Sequence, residues 1–274
     1  MKTRKRIRAA FAVTAALGLA VLFYSCKKTV TLKLNNAAAE IVIQGEVTDA
    51  PGPYTVTINQ TVGFYKDNTY PPISGAVVKI SDGQGETDSL TETATPGTYA
   101  THILQGRSGN TYTLSVFAQN KQYTAVSTMP ALVPLDSVTF ETTSGFGQHQ
   151  TNAVVNFQDP PGIKNYYQFM EYINGQLFNK EFFIFEDRLS DGRYISNTLY
   201  MDSTYLQSGQ DLEVKMYCID ENVYNYFFQL NQSGGGGGFN TASPANPVSN
   251  ISNGALGYFS AHTTQSISVG VPNQ

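Results

Sequence analysis

From residue 40 onward, turn residues divide this sequence into short stretches that start about ten residues apart. Between the turns, apolar and polar side chains alternate, as in Tyr54–Ile58, where Tyr54, Val56 and Ile58 fall on one face. A period of two is typical of a strand that buries one of its faces. Regularly spaced strands of this kind favour a β-sandwich, and we predict a mainly β protein.

The prolines divide the strand-like stretches into two groups. Residues 40–128 hold seven stretches and are predicted to form a first β-sandwich domain. Residues 129–135 include two prolines, which oppose a helix and interrupt a sheet ladder, so this segment is predicted to be a linker. Residues 136–274 are then predicted to form a second β domain. The predicted fold is thus two β-sandwich domains with one short helix in the second.

A hairpin signal stands near the start of the second domain. Tyr166–Ile173 and Gln176–Phe185 are predicted to be two long strands, joined by the dipeptide Asn174-Gly175. Both central residues of a type I′ turn need positive φ, which asparagine and glycine tolerate best. The dipeptide therefore predicts a tight two-residue hairpin.

The period then changes from two to that of a helix. Val223, Phe227 and Leu230 lie at positions i, i+4 and i+7, and Asp220 precedes them as an N-cap residue. We predict a helix over about residues 221–231. A run of five glycines follows, and its high backbone entropy predicts a loop over residues 233–240.

The first 26 residues have the pattern of an export signal. Five basic side chains precede an uncharged, largely apolar run from Ala9 to Tyr24, which is typical of a secretory signal peptide. The run is shorter than the ~20 residues that a membrane-spanning helix needs. Ser25 followed by Cys26 resembles a bacterial lipoprotein signal, so we predict a signal peptide at 1–25, lipidation of Cys26 and a tether at 26–39. An ordinary signal peptide with an incidental cysteine is the alternative.

Charge restricts the partners of the mature chain. Removal of the signal leaves 12 of the 17 basic residues against 21 acidic ones, a formal charge near −9. Nucleic-acid binding needs basic patches that neutralise phosphate, so no nucleic-acid partner is predicted. An acidic surface is also repelled by anionic lipid heads. We therefore predict that the protein meets the lipid bilayer through acylated Cys26.

Residue types that carry chemistry do not form a recognisable motif. The three histidines are scattered along the chain at positions His102, His149 and His262. The acids near Glu186-Asp187 and Asp191 fit either a cation site or solvated turns. We predict no catalytic residue, no metal and no cofactor. Cys218 lies in an apolar stretch and is predicted to be a buried thiol, with an intermolecular disulfide as the alternative.

Aromatic side chains are concentrated in the second half. Rings on both faces of a strand must be covered on both faces or leave an adhesive patch. They are therefore predicted either to form core or to form a partner-binding surface, where tyrosine is favoured. The residues predicted for such a surface are Tyr166, Tyr167, Phe182, Phe183, Tyr258 and Phe259.

Several stretches, taken in order, carry a resemblance to a known family. They are Tyr24-Ser25-Cys26-Lys27-Lys28, Gly52-Pro53-Tyr54-Thr55-Val56, Pro71-Pro72-Ile73-Ser74-Gly75-Ala76, Asp159-Pro160-Pro161-Gly162 with Asn165-Tyr166-Tyr167, and Pro247-Val248-Ser249-Asn250-Ile251-Ser252-Asn253-Gly254-Ala255-Leu256-Gly257-Tyr258-Phe259. The chain resembles the Bacteroidota lipoproteins grouped as domain of unknown function 4249. Residues 74–112 also resemble the carboxypeptidase-regulatory, transthyretin-like sandwich, a non-catalytic module.

The family resemblance implies an accessory role beside a TonB-dependent outer-membrane transporter. From it we expect a lipoprotein anchored in the outer membrane that binds a partner without catalysis. Two alternatives stay open: an anchored hydrolase whose acids converge only in the fold, and a structural or adhesive surface subunit. Lys27 and Lys28, with no acid before Glu40, leave both the periplasmic and the external face of the membrane open.

Overall fold

The structure is a computed structural model that describes residues 38–63, 69–145, 148–178, 182–200, 206–234 and 246–273. The predicted signal peptide, Cys26, most of the tether and the greater part of the glycine run lie outside these residues.

Within the described residues the chain forms fifteen strands and one helix, α1 (Glu221–Gly234). The mainly β prediction is therefore confirmed. The strands are β1 (Ile41–Thr48), β2 (Thr55–Gln60), β3 (Val77–Ser81), β4 (Thr87–Glu92), β5 (Thr98–Ala100), β6 (Thr111–Ala118), β7 (Lys121–Thr128), β8 (Leu135–Gly145), β9 (Gln148–Gln158), β10 (Tyr166–Ile173), β11 (Gln176–Leu177), β12 (Phe183–Glu186), β13 (Tyr194–Leu199), β14 (Asp211–Ile219) and β15 (Leu256–Gly270).

The first half contains the seven strands that the sequence predicts. They are hydrogen-bonded in the order β1-β2-β5-β4-β3-β6-β7, and all of these pairs are antiparallel. Alternation sets the inward face: Tyr54, Val56 and Ile58 are buried in the first hydrophobic core, as predicted. Burial of these side chains on one face of each strand supplies the main favourable term for the sandwich.

The last strand joins the two halves. The N-terminal part of β15 pairs in parallel with β1, with Leu256–His262 beside Val42–Thr48. Its remaining part pairs antiparallel with β14, which in turn pairs with β10. A single strand thereby belongs to the sheet of both halves.

A second core lies between the larger sheet and a three-stranded sheet of order β13-β9-β8. Met129 packs in the first core and Val133 in the second, so the predicted linker lies between the two cores. Residues from Ala38 onward nevertheless form one compact unit. The division into two domains at 129–135 stays a prediction.

Helix α1 covers the other face of the larger sheet and creates a third apolar cluster. The Asp220 carboxylate accepts a hydrogen bond from the Val223 N–H at 2.9 Å, which confirms Asp220 as the N-cap. The helix runs three residues beyond the predicted end, so the predicted loop start at residue 233 is wrong. Ser233 donates from Oγ to the carbonyl of Gln229 at 2.9 Å, which stabilises this last turn. Among the described residues, no helix has both the length and the apolarity needed to cross a bilayer.

A polar link connects β7, α1 and β15. The Ser127 hydroxyl donates a short hydrogen bond to the Asp220 carboxylate and accepts one from the Ala261 N–H at 2.8 Å. Ser127 is buried, and burial raises the pKa of Asp220. Hydrogen bonds to a buried carboxylate are strong, so this link fixes the start of the helix to both halves.

The predicted hairpin forms, but its second strand is broken. Asn174 and Gly175 have φ values of 51° and 74°, as a type I′ turn requires. The single long strand predicted over Gln176–Phe185 is wrong, because two separate short strands, β11 and β12, pair with β10 on this side. Between the two pairings lie two residues of β10 on one side and five residues, 178–182, on the other.

Candidate functional site

An open cleft of about 490 Å³ lies on the second half of the chain. It is formed by the loop after β9, the loop after β12 and the first turn of α1. Its lining is mixed in charge and includes one aromatic ring. The lining residues are Gly162, Ile163, Lys164, Tyr166, Glu186, Asp187, Arg188, Asp191 and Glu221.

Asp159 connects elements that form the cleft, although it is not itself part of the lining. It is fully buried, and one carboxylate oxygen accepts a short hydrogen bond from the hydroxyl of Tyr167. The other oxygen accepts the N–H of Gly192 at 3.0 Å. Asp159 therefore links the end of β9 to both the sheet and the loop after β12.

Two further aspartates join the same loops from the opposite direction. The Asp191 carboxylate accepts the N–H of Gly162 at 2.7 Å, and the Asp187 carboxylate accepts the N–H of Asn165 at 2.9 Å. Gly192 has φ +69° and packs against Pro161, so the two loops approach closely where a larger residue would not fit. Together with Asp159, these contacts make a three-aspartate clamp.

The oxygens of the clamp converge. One carboxylate oxygen each of Asp159, Asp187 and Asp191 lies within 4.8 Å of the others. Burial raises the pKa of Asp187, and the two neighbouring carboxylates raise it further, against the lowering effect of the Asn165 N–H. Such oxygens resemble those that coordinate Ca²⁺, but each of these carboxylates already accepts a backbone N–H. The prediction of solvated turn residues is wrong for Asp187, which is buried.

The cleft lining as a whole carries an excess of negative charge, with four carboxylates against two cations. The side chain of Arg188 pairs with Glu186 at 2.7 Å, which leaves Lys164 as the other cation in the lining. Burial raises the pKa of Tyr166 to about 12, with contributions from its hydrogen bond to Glu221 and from the Glu221 charge. At neutral pH this hydroxyl is a proton-bearing hydrogen-bond donor in a negative environment.

An aromatic row leads out of the cleft along α1. Tyr166 and Tyr224 have ring centroids 5.0 Å apart, and Tyr224 stacks on Phe228 at 6.0 Å. Phe228 is 44% exposed at the outer end of the row. Two aliphatic side chains lie on the loops that form the cleft, with Ile163 61% and Leu189 87% exposed. Apolar contact surface is therefore available next to the charged groups.

The structure separates the six aromatic residues predicted for a partner surface. Tyr167 and Phe259 are fully buried in different hydrophobic cores, so these two rings are core residues and not part of an exposed surface. Phe183 packs on the second core and keeps partial exposure, while Phe182 and Tyr258 pack against the helix. Of the six, Tyr166 is the residue that lines the cleft. Partner contact stays a prediction for Tyr166, Phe182, Phe183 and Tyr258.

The other residues singled out in the sequence lie apart from the cleft lining. Cys218 is buried, as predicted, and burial raises the pKa of its thiol. His102 hydrogen-bonds the hydroxyl of exposed Thr91 at 2.8 Å. His262 is buried beside Ser260, and burial lowers its pKa to about 4. The side chain of His149 and all of Cys26 lie outside the described part of the structure.

The chain is similar to one known protein family. A family model described as "Domain of unknown function (DUF4249)" matches residues 27–268. The chain belongs to the DUF4249 family. This result confirms the family inferred from the short motifs, while the Bacteroidota and lipoprotein parts of that resemblance stay predictions. The match to the transthyretin-like module stays a prediction.

Two further comparisons add little to the family assignment. No curated protein matches the chain. Among solved structures, a two-fibronectin type-III domain segment from chicken tenascin matches with 11% identity, covering 86% of this chain and 99% of its own. The TM-score is 0.23, and a superposition this poor supports no conclusion about this DUF4249 member.

Proposed function

We propose that this DUF4249 protein is a lipid-anchored, non-enzymatic accessory subunit that binds a partner at the outer membrane, and that the partner is a TonB-dependent transporter. The observation that carries the proposal is the open cleft held by the three-aspartate clamp. A binding surface gains affinity when its shape is fixed before the partner arrives, because less ordering free energy is spent on association.

The roles of the acids favour binding over hydrolysis. A general acid and base must be free to exchange protons with a substrate. In the clamp, Asp159, Asp187 and Asp191 instead accept N–H groups of the two loops and hold those loops together. Their chemistry supports a rigid recognition surface with apolar side chains at its rim.

The anchor is proposed from the sequence. Ser25-Cys26 closes the apolar run, and the folded unit begins a short distance later at β1. A stretch such as 27–39 reaches at most about 45 Å when fully extended. The protein would then act close to the bilayer surface, within reach of a transporter in the same membrane.

Membrane fractionation tests the anchor. Cys26→Ser removes the acyl acceptor, so the variant is expected in the soluble fraction, whereas Cys218→Ser should stay with the membrane because its thiol is buried. Immunoblotting of salt-washed membranes from cells that make each variant measures this. Retention of the Cys26→Ser protein after the wash would contradict the lipid anchor.

Co-purification tests the accessory role. The native protein, solubilised gently from outer membrane and crosslinked, is expected to elute together with a TonB-dependent transporter. Leu189→Ala should weaken the complex without changing the melting temperature. Ile103→Ala, an equally simple truncation of an exposed side chain in the first half, is the matched control. A native protein that runs alone after crosslinking would refute the accessory role.

A further inference from the structure

We infer that the cleft receives a basic side chain, lysine or arginine, from an extended polypeptide segment of the partner. This inference rests on the proposed function in that it names the chemistry of the segment that the accessory subunit binds. The cleft is concave and open to solvent, and Tyr166 in its lining packs on the aromatic row of α1.

Charge complementarity is the first argument. Four carboxylates line the cleft, against two cations. One of the two, Arg188, is paired with Glu186. The carboxylates that the clamp does not use, those of Glu186 and Glu221, face the same opening as Tyr166. The lining as a whole has two more negative than positive charges, so a lysine or arginine that enters is attracted and an acidic segment is repelled.

Aromatic and aliphatic surface is the second argument. Cations are attracted to the face of an aromatic ring, and the long stems of lysine and arginine pack on apolar surface. Tyr166 provides a partly exposed ring in the cleft lining, and Ile163 and Leu189 provide exposed aliphatic side chains on the loops that form it. A small inorganic cation would use none of this surface, so the lining fits a side chain attached to a polypeptide better.

The fixed loop geometry is the third argument. The loop after β9 and the loop after β12 are joined by side chain to backbone hydrogen bonds of 2.7–3.0 Å. The mouth of the cleft is therefore preorganised, and its glutamates can be changed without removing a clamp hydrogen bond.

Peptide binding to the purified full chain in neutral detergent tests the inference directly. The probe is a short fluorescein-labelled peptide that alternates lysine with alanine, and its counterpart carries glutamate in place of lysine. Fluorescence anisotropy is expected to show binding of the lysine peptide and not of the glutamate peptide, with empty micelles as the blank. The double variant Glu186→Gln/Glu221→Gln should weaken binding roughly tenfold.

A matched variant separates local from general charge effects. Glu213→Gln removes a partly exposed carboxylate from β14, outside the cleft lining, and should leave the affinity unchanged. Equal affinity for the two peptides, no binding of either, or equal loss in the Glu213→Gln control would each overturn the inference. Melting curves of the variants show whether any loss reflects unfolding.

The two proposals fail in different ways. If the native protein co-purifies with a transporter and yet the double cleft variant binds both transporter and lysine peptide as before, the cleft inference is wrong and the accessory role stands. If the lysine peptide binds as expected but no transporter co-purifies, the accessory role is wrong and the cleft chemistry stands.

Discussion

Three glycines on or beside β15 allow the junction between the halves to be tested. Gly257 pairs with Ile43 in the parallel ladder and has φ +94°. A Cβ atom at Gly257 would lie 2.0 Å from the Ile43 carbonyl oxygen. Gly254 also has positive φ, +77°, but a Cβ there meets nothing within 4 Å. Gly270, at the other end of the strand, has neither feature.

Alanine at Gly254 therefore measures the backbone strain alone, alanine at Gly257 measures the strain together with a clash against β1, and alanine at Gly270 measures neither. Gly254→Ala should cost about 1–2 kcal/mol from backbone strain alone. Gly257→Ala adds a contact with backbone that cannot be relieved by a side-chain rotation. The strands must separate locally and lose about two ladder hydrogen bonds at ~1 kcal/mol each, so with the backbone strain the total loss of stability is expected at about 3–4 kcal/mol. Gly270→Ala should change stability by less than about 0.5 kcal/mol.

Thermal melts followed by circular dichroism check the series. For a chain of this size, 1 kcal/mol shifts Tm by roughly 2–4 °C, so Gly257→Ala is expected to lower Tm by about 10 °C and Gly254→Ala by about 4 °C. The order Gly257, Gly254, Gly270 in size of loss is the result that matters. If the Gly257→Ala and Gly270→Ala proteins had the same Tm, β1 and β15 would not be paired as described.

Three further predictions concern buried side chains. Phe227→Ala should lower the free energy of unfolding by about 3–5 kcal/mol, because this ring of α1 is buried. Phe228→Ala, on the exposed side of the same helix, should lower it far less. Equal losses of Tm in the two variants would contradict the described packing of the helix. Ser127→Ala should cost about 1–3 kcal/mol by removing a hydrogen bond to buried Asp220, and an unchanged denaturation midpoint would refute that link. In the unfolded chain His262 takes up a proton below about pH 6.5, whereas in the folded protein burial lowers its pKa to about 4. The free energy of unfolding therefore decreases as the pH falls from about 6.5 to about 4, by at most about 3 kcal/mol. His262→Gln should remove that part of the pH dependence, and parallel Tm-against-pH curves for the two proteins would contradict it.

Local patterns in the sequence were sufficient for most of the elements. Alternation around Tyr54–Ile58, the dipeptide Asn174-Gly175 and the helical spacing of Val223 and Phe227 each act within a few residues. These are the distances over which side-chain periodicity and turn chemistry determine backbone conformation. The existence of the strands in the first half and the helix start follow from them.

Contacts between distant residues were not predictable in this way. Asp159 lies in one loop, and Asp187 and Asp191 lie in another, so each looks like an ordinary turn residue in its own segment. The pairings of β10 with β12 and of β9 with β13 bring the two loops together. The same holds for the pairing of β1 with β15, since a parallel ladder carries no sequence signal for its partner.

The parallel pairing of β1 with β15 determines when the first half can be completed. Phe259 and Ala261 belong to the first core but are synthesised about 130 residues after the other strands of that core. Until then β1 has an open edge, and such edges invite pairing with other chains. Contacts this far apart in sequence also form slowly. A nascent chain of this protein therefore depends on protection from aggregation until its final strand emerges, and a truncation before residue 256 would leave both halves incomplete.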